Sequence, residues 1–314
     1  MTGVTARVPA KLNLQLAVGP PRADGYHDLV TVFHAVSLFD QVTVEPAGRD
    51  GITVTGEGAD RVPADQDNLA LRAIEAMRAA VPDRGTGAVH VTIAKRIPVA
   101  AGLAGGSADA AAALVACNEL WATGLTQPQL CGIGATVGSD VAFALLGGTA
   151  VGRGRGEQLT PALAPATQYH WVLAFADGQL STPAVYAALD RLRAGRPEDP
   201  AESDVAATAE PDLDAALMSA LRTGDAARVG QQLSNDLQPA AMSLFPALRK
   251  TLTAGLELGA LGALVAGSGP TCVFLAANAE RALELAVSLS GAGVCRSVAR
   301  VSGPVPGAAV VSAE

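Results

Sequence analysis

Alternation of apolar and polar positions marks the first element of the chain. Leucines at even positions from 12 to 16 alternate with Lys11, Asn13 and Gln15, which is the period of a half-buried β-strand. That register places the three polar side chains together on one face of the strand. Further apolar stretches predict strands at Leu29 to Phe39, Val42 to Val44, Ile52 to Val54, Val89 to Ile93, Trp171 to Phe175 and, as two strands, Ala263 to Leu275.

Helical periodicity alternates with these strands in both halves of the chain. The predicted helices are Asn68 to Ala80, Ser107 to Trp121, Asp212 to Leu221, Leu244 to Leu258 and Ala279 to Ser290. The polar, proline-rich segment from Gly195 to Asp204 is typical of an exposed loop. Strands followed by helices in each half predict an α+β class with domains at residues 1–160 and 161–301, and a flexible tail at 302–314.

Composition narrows the function. The chain has 314 residues, of which 49% are hydrophobic, but it holds no uninterrupted apolar run of the roughly 20 residues that cross a bilayer. Its N-terminus lacks the basic-then-apolar layout of a signal peptide, so we expect a cytoplasmic enzyme. The net charge is −8 with no dense Lys/Arg stripe, which argues against nucleic-acid binding. Neither the four cysteines nor the four histidines show the spacing of a metal site. The cysteines lie inside apolar segments, which predicts buried free thiols.

A glycine-rich segment, Pro98 to Ser107, connects a predicted strand to an alanine-rich helix. Gly102, Gly105 and Gly106 allow backbone amides to approach a ligand, and the helix directs its unpaired N–H groups to the same place. This arrangement suits the β- and γ-phosphates of a nucleotide, with the Ser107 hydroxyl available to phosphate or Mg²⁺. The segment alone is equally consistent with a tight turn that binds nothing. It matches neither a P-loop nor a dinucleotide-binding fingerprint.

Three motifs in order resemble the GHMP kinase superfamily. They are Pro98 to Ala111, Pro9 to Leu14 and Gly267 to Cys272. The resemblance implies a two-domain fold, in which an N-terminal ribosomal-protein-S5-like domain and a C-terminal ferredoxin-like α/β domain enclose a cleft that takes ATP and Mg²⁺.

One branch of this superfamily shares further elements with the chain. They are Arg22 to His27, Gly138 to Val141, and Ser181-Thr182 followed by Tyr186. The resemblance implies transfer of the ATP γ-phosphoryl to the 2-hydroxyl of a cytidine diphosphate-linked methylerythritol in the non-mevalonate isoprenoid route. We expect a monomer or weak homodimer that binds no nucleic acid and no membrane. The alternatives are a homoserine- or mevalonate-type kinase, or a non-catalytic regulator of the same fold.

The resemblance also assigns roles to residues. Asp140, which by itself would be interpreted as a helix N-cap, becomes the candidate base. Lys11 becomes the catalytic cation; it could lower the pKa of the acceptor hydroxyl or keep Asp140 ionised, and the sequence does not separate these roles. Tyr26, His27 and Tyr186 suit a pyrimidine pocket, because aromatic rings stack on bases and a histidine can hydrogen-bond a cytosine edge.

Other positions complete the expected site. The substrate-binding candidates are Asn13, Tyr26, His27, Asp140, Thr182 and Tyr186. The candidates for ATP are Pro98, Ala101, Gly102, Leu103, Ala104, Gly105, Gly106, Ser107 and Ala108, with Asn68 and Lys95 on the adenine side, and Ser107 is the candidate for Mg²⁺.

Several residues depart from the family pattern. Ala101 and Ala104 replace glycines, Ala142 replaces a proline, and Gly132 and Gly134 interrupt a helical stretch. The alanines would narrow the phosphate cradle if their φ angles must be positive. The glycines would soften the element before Asp140 by roughly 1 kcal/mol each.

Overall fold

A computed structural model describes residues 3–82, 84–163, 167–194 and 210–311. The predicted loop from Gly195 to Asp204 lies outside the described residues. The described residues form two sheets with helices packed against both.

The larger sheet is built on a long antiparallel pair, β1 (Val4–Pro21) and β2 (His27–Pro46). In this sheet the described strands run β12-β1-β2-β4-β3, with β5 pairing β2 and β6, and β8 pairing β1. The other strands of this sheet are β3 (Gly51–Gly56), β4 (Val89–Lys95), β5 (Thr149–Arg153), β6 (Gln158–Pro161), β8 (Ser234–Asn235) and β12 (Ala309–Val310).

The smaller sheet is antiparallel, with the described strands in the order β11-β7-β10-β9. Its strands are β7 (Tyr169–Phe175), β9 (Gly262–Val265), β10 (Cys272–Ala276) and β11 (Ser297–Gly303). Its central strand β10 is buried at every position, as expected for a strand covered on both faces.

Helices cover both sheets. They are α1 (Leu69–Ala80), α2 (Gly105–Leu120), α3 (Gln127–Val137), α4 (Ser139–Leu146), α5 (Thr182–Ala194), α6 (Ala215–Thr223), α7 (Ala226–Gln231), α8 (Gln238–Leu244), α9 (Ala247–Glu257) and α10 (Ala279–Gly291). None of the described helices is long and apolar enough to cross a membrane.

The helix that follows the glycine-rich segment is central to the first half. α2 packs against β1, β2, α1 and α4, and its alanines are fully buried, as for Ala110 to Ala113 at 0% exposure. Small side chains let a helix lie between a sheet and other helices, and alanine favours the helix intrinsically. The start of α2 is therefore held in place by its surroundings.

The structure corrects two expectations about the strands. β1 is buried on both faces, since Lys11, Asn13 and Gln15 are 8%, 2% and 5% exposed. The stretch from Val42 to Val44 is the end of β2 rather than a separate strand. Periodicity shows only which face is more apolar, and a cleft lined by polar residues can bury the other face.

The predicted flexible tail is wrong for residues 302–311. β11 continues to Gly303, and the Ser302 amide donates to the Ser37 hydroxyl. β12 pairs with β1 through Ala6 and Arg7. The segment therefore forms an edge strand of the larger sheet. Its small and polar residues give no sign of a strand in the sequence.

Of the two glycines in α3, Gly134 serves packing. The helix runs through both positions, and a Cβ at Gly134 would lie 2.7 Å from Cγ1 of Val141 on α4. The glycine allows α3 and α4 to approach, whereas a Cβ at Gly132 would meet nothing within 4 Å. The two-domain boundary at 160/161 stays a prediction, since one hydrophobic cluster joins residues of both sheets.

Candidate active site

A cleft of about 910 Å³ opens between the two halves of the chain. Its walls come from β1 and β2, the glycine-rich segment, the start of α4, the helix α5 and the segment between β9 and β10. The predicted site residues that line it are Lys11, Asn13, Tyr26, His27, Ala101, Gly102, Ala104, Gly105, Gly106, Asp140, Thr182 and Tyr186.

Lys11 and Asp140 meet in this cleft. The Lys11 ammonium lies 3.8 Å from Oδ2 of Asp140, and the two side chains are 10% and 27% exposed. β1 supplies the lysine, and the first turn of α4 supplies the aspartate. The helix start places positive dipole charge beside the carboxylate. Asp140 makes no capping hydrogen bond, because Gly138 is the N-cap of α4, so the capping interpretation of Asp140 is wrong.

Neighbouring polar groups fix the Lys11 side chain. Its ammonium donates to Oδ1 of Asn13 at 2.7 Å, and Asn13 Nδ2 donates to the Thr31 hydroxyl at 2.8 Å. The Thr31 hydroxyl donates in turn to the Gln15 carbonyl at 2.7 Å. The ammonium also lies 5.5 Å from the centre of the Phe33 ring. A lysine held by an amide and an aromatic ring keeps a defined position for its charge.

The glycine-rich segment ends as predicted at a helix N-terminus. α2 begins at Gly105 with Ala104 as its N-cap, and its first amides have no partner within the helix. Ala100 and Ala104 have φ angles of 54° and 58°. The condition of a positive φ, under which an alanine would narrow the phosphate cradle, is met at Ala104 and not at Ala101. The backbone strain of an alanine therefore falls on positions 100 and 104, at about 1–2 kcal/mol each.

The glycine-rich segment touches the second glycine motif of the chain. A Cβ at Gly102, whose φ is 78°, would overlap the Ala266 carbonyl oxygen and lie 3.0 Å from the Gly269 amide nitrogen. Asn235 holds this second motif, because its Nδ2 donates to the carbonyls of Val265 and Gly267, each at 2.7 Å. The two motifs thus position each other across the cleft.

A buried charged cluster ties both ends of the glycine-rich segment. The Lys95 ammonium, just before the segment, donates to Asp40 at 2.5 Å and to Asp109, on α2, at 2.7 Å. Oδ1 of Asp40 also accepts the Arg96 and Ile97 amides. Burial lowers the pKa of Lys95, but the two carboxylates outweigh this effect and raise it. Burial raises the pKa of Asp109 to about 8.

Lys95 and Asn68, which were predicted on the adenine side of the site, are buried and bind other groups of the protein. Lys95 is 4% exposed and engaged by carboxylates. Asn68, also 4% exposed, caps α1 by accepting the Ala70 amide and donates to the Pro63 carbonyl. Neither residue lines the cleft, and adenine contact by either stays a prediction.

The aromatic residues gather at the other end of the cleft. The rings of His27 and Tyr186 lie 5.0 Å apart, while Tyr26 is 54% exposed and carries the Arg155 guanidinium 5.1 Å from its ring centre. Burial, with the nearby charge of Asp140, raises the pKa of Tyr186 to about 12, so its hydroxyl stays protonated. Thr182 shares a 2.9 Å hydrogen bond with Ser268.

Other predicted residues lie behind the cleft surface. Leu103 and Ala108 are each 1% exposed and belong to the hydrophobic core. Pro98 lines a smaller cavity of about 210 Å³ that adjoins the cleft at Ala100 and Ala101.

The structure adds cleft residues that the sequence interpretation missed. Arg72, on α1, and Arg155, in the turn after β5, bring positive charge to the cleft, while Asp190 and Ser268 bring polar groups. Asp190 follows Tyr186 by one helical turn, and Arg72 follows Asn68 by the same interval. Helical spacing was an available signal for Arg72, because the sequence predicts a helix from Asn68, but not for Asp190, since no helix was predicted around Tyr186.

The cleft residues fit a magnesium ion that is shared with phosphates. Among the described residues, no group of three or more acidic, histidine or cysteine side chains could hold a metal alone. Magnesium in kinases is held by one or two carboxylates together with substrate phosphates. The Ser107 hydroxyl lies 3.7 Å from the position of a Cβ at Gly138, two residues before Asp140. Ser107 itself does not line the cleft, so a magnesium ion shared by Ser107 and Asp140 stays a prediction.

Comparison with known families gives two matches. The GHMP kinases N terminal domain matches residues 68–148, and the GHMP kinases C terminal domain matches residues 217–295.

Full-length relatives agree with these matches. The 4-diphosphocytidyl-2-C-methyl-D-erythritol kinases of Thermobifida fusca and Mycolicibacterium smegmatis are each 55% identical to the chain. The first match covers 99% of both chains, and the second covers 99% of this chain and 93% of the relative.

Solved structures show the same fold. A crystal structure of 4-(cytidine 5'-diphospho)-2C-methyl-D-erythritol kinase matches with a TM-score of 0.73 at 35% identity, over 95% of this chain and 98% of that one. A homoserine kinase from Cytophaga hutchinsonii matches with a TM-score of 0.72 over 99% and 98% of the chains. At 19% identity, this second likeness concerns the fold alone.

Proposed function

The chain belongs to the 4-diphosphocytidyl-2-C-methyl-D-erythritol kinases of the GHMP kinase family, and from this premise we propose that it transfers the γ-phosphoryl of ATP to the 2-hydroxyl of that substrate through Lys11 and Asp140. One observation carries the proposal. The Lys11–Asp140 pair, 3.8 Å apart, lies in the same cleft as a phosphate-binding helix start and a group of aromatic residues.

The pair suits phosphoryl transfer to an alcohol. Such a reaction asks the protein to position the two reactants and to stabilise charge on the phosphoryl oxygens. Asp140 is exposed enough to meet a hydroxyl, at 27% of its side chain, and would accept its proton or orient it. Lys11, fixed by Asn13, would stabilise the negative charge on the transferred group without moving.

The start of α2 supports the ATP half of the site. The amides of Gly105, Gly106 and Ser107 begin the helix, and the helix dipole favours an anion there. Arg72 adds a positive side chain to the same cleft. We propose that Ser107 and Asp140 would hold Mg²⁺ together with the phosphates, where the ion would neutralise developing negative charge.

The aromatic end supports the cytidine half. Tyr26 offers an exposed ring at the cleft mouth, and Tyr186 lies beside His27. Rings in this setting stack on a pyrimidine. Arg155 would pair with a phosphate of the diphosphate linkage, since its guanidinium lies over Tyr26. An enzyme that consumes ATP is expected in the cytoplasm.

A coupled assay of ADP release tests the substrate. We expect turnover with ATP and the cytidine diphosphate-linked methylerythritol, and none with homoserine or mevalonate. Turnover with only one of the latter compounds would make the substrate assignment wrong. ATP binding without turnover on any of the three would favour a regulator.

Two variants test the residue roles. Asp140→Asn should retain ATP binding and lose turnover by about 10²-fold or more, as expected for a general base. Glu280→Gln, which removes an exposed carboxylate from α10 outside the cleft, is the matched control and should retain turnover. Near-normal turnover of Asp140→Asn would remove the base role. His27→Ala should mainly raise KM for the cytidine substrate.

A further inference from the structure

Helix α5 presents two residues to the His27 side chain, one helical turn apart. Tyr186 lies against the imidazole ring at 5.0 Å between ring centres, and Oδ1 of Asp190 lies 3.0 Å from Nε2. His27 begins β2 in the first half of the chain, 163 positions before Asp190. The hydrogen bond therefore joins two elements that both line the cleft.

The helix that carries Asp190 is itself anchored to the first half. The Arg193 guanidinium donates to the carbonyls of Val18 and Gly19, at 2.8 Å and 3.1 Å. Its contact with Asp236 adds a partly exposed ion pair at 3.4 Å. Asp190 thus approaches His27 from a fixed direction, and the side chain of Asp190 is 35% exposed against 6% for His27.

The chemistry of the partner decides which ring nitrogen carries the proton. An ionised carboxylate only accepts hydrogen bonds, so Nε2 must donate to Asp190. In the neutral ring, Nδ1 is then an acceptor, because one nitrogen donates while the other accepts. The side-chain hydrogen bond of His27 among the described residues uses Nε2, and the residue lines the cleft, where Nδ1 is available to a ligand.

We propose that Asp190 is a specificity-determining positioning residue that fixes the His27 tautomer and so favours cytosine over uracil. This inference rests on the proposed function, which places the pyrimidine beside His27. Cytosine presents an exocyclic amine that donates to an accepting Nδ1. Uracil presents a carbonyl oxygen at the same place, which would oppose one acceptor to another and leave both unpaired.

The kinetic test compares the cytidine substrate with the same compound carrying uracil. In Asp190→Asn, the amide can either accept from or donate to Nε2, so the tautomer is no longer fixed. We expect the ratio of kcat/KM for the two substrates to fall by about tenfold or more, through KM for the cytidine compound rather than kcat. Glu280→Gln should leave the ratio unchanged. An unchanged ratio in a folded Asp190→Asn protein would overturn the proposal.

The direct test needs no variant at Asp190. Long-range ¹H–¹⁵N spectra of the wild-type chain in mildly alkaline buffer, assigned by comparison with His27→Gln, should show Nε2 protonated and Nδ1 unprotonated. A proton on Nδ1 would overturn the inference even if turnover is normal. If the wild-type chain turns over neither pyrimidine compound, the proposed function itself fails, and the kinetics identify that outcome separately.

Discussion

We expect that a single methyl group added at Gly102 lowers both the stability of the protein and its turnover. The residue has a φ of 78°, which costs an alanine about 1–2 kcal/mol. The added Cβ would overlap the Ala266 carbonyl oxygen and lie 3.0 Å from both the Ala266 carbonyl carbon and the Gly269 amide nitrogen. These are backbone atoms that cannot rotate away.

The two glycine motifs must therefore separate in Gly102→Ala. Reaching an ordinary contact of about 3.5 Å requires a movement on the order of 1 Å. Overpacking of this kind costs about 1–3 kcal/mol, so with the strained φ we expect the free energy of unfolding to fall by about 2–5 kcal/mol. A displacement of about 1 Å in a group that positions substrate lowers turnover by about 10²-fold.

The assay pairs urea unfolding with steady-state ADP release at saturating cytidine substrate. Gly132→Ala is the matched control, because its Cβ meets nothing within 4 Å and it lies inside α3. That change should stabilise the protein by about 0.5–1 kcal/mol and leave turnover intact. If Gly102→Ala retained the stability and the kcat/KM of the wild-type chain, the contact between the motifs would not position the phosphate cradle.

Three further predictions concern strain and pH. Ala104→Gly should raise the free energy of unfolding by about 0.5–1 kcal/mol, because it relieves the φ of 58° at a smaller entropic cost; a lower stability in urea would contradict this. Asp109 has a pKa raised by burial to about 8, so its contribution to stability is largest below about pH 4 and is lost as the pH rises through 8. Asp109→Asn should flatten that decline in thermal unfolding. Burial lowers the pKa of His34 to about 3, so stability should decrease by up to about 1.4 kcal/mol per pH unit as the pH falls from 6.5 to 3. His34→Gln should remove this slope, and His90→Gln should retain it.

Local patterns were sufficient for much of the fold. The strand through Lys11, the helix from Asn68 and the helix predicted from Ser107 follow from periodicity and alanine content, which act over a few residues. The extent of burial depends on what packs from elsewhere, and for this reason β1 was expected to have one exposed face. The pairing of β12 with β1 joins positions about 300 residues apart, and no local signal carries it.

In the candidate site, too, local motifs could be predicted from the sequence, whereas contacts between distant parts of the chain could not. Motif residues such as Lys11 and Asp140 could be named in advance, although their 3.8 Å separation is a property of the fold. Lys95 shows the reverse case. A lysine beside a glycine-rich segment suggests contact with a nucleotide. In the structure the Lys95 ammonium instead binds Asp40 on β2 and Asp109 on α2. Asp190 was missed because no helix was predicted around Tyr186, so nothing in the sequence related the two positions.

The cluster of Asp40, Lys95 and Asp109 has a consequence for how nucleotide leaves. It fastens the chain on both sides of the glycine-rich segment, at the Arg96 and Ile97 amides and at the first turns of α2. A segment secured at both ends in a dry interior cannot swing aside as a lid. Exchange of ADP for ATP is therefore expected to proceed without displacement of the backbone of this segment.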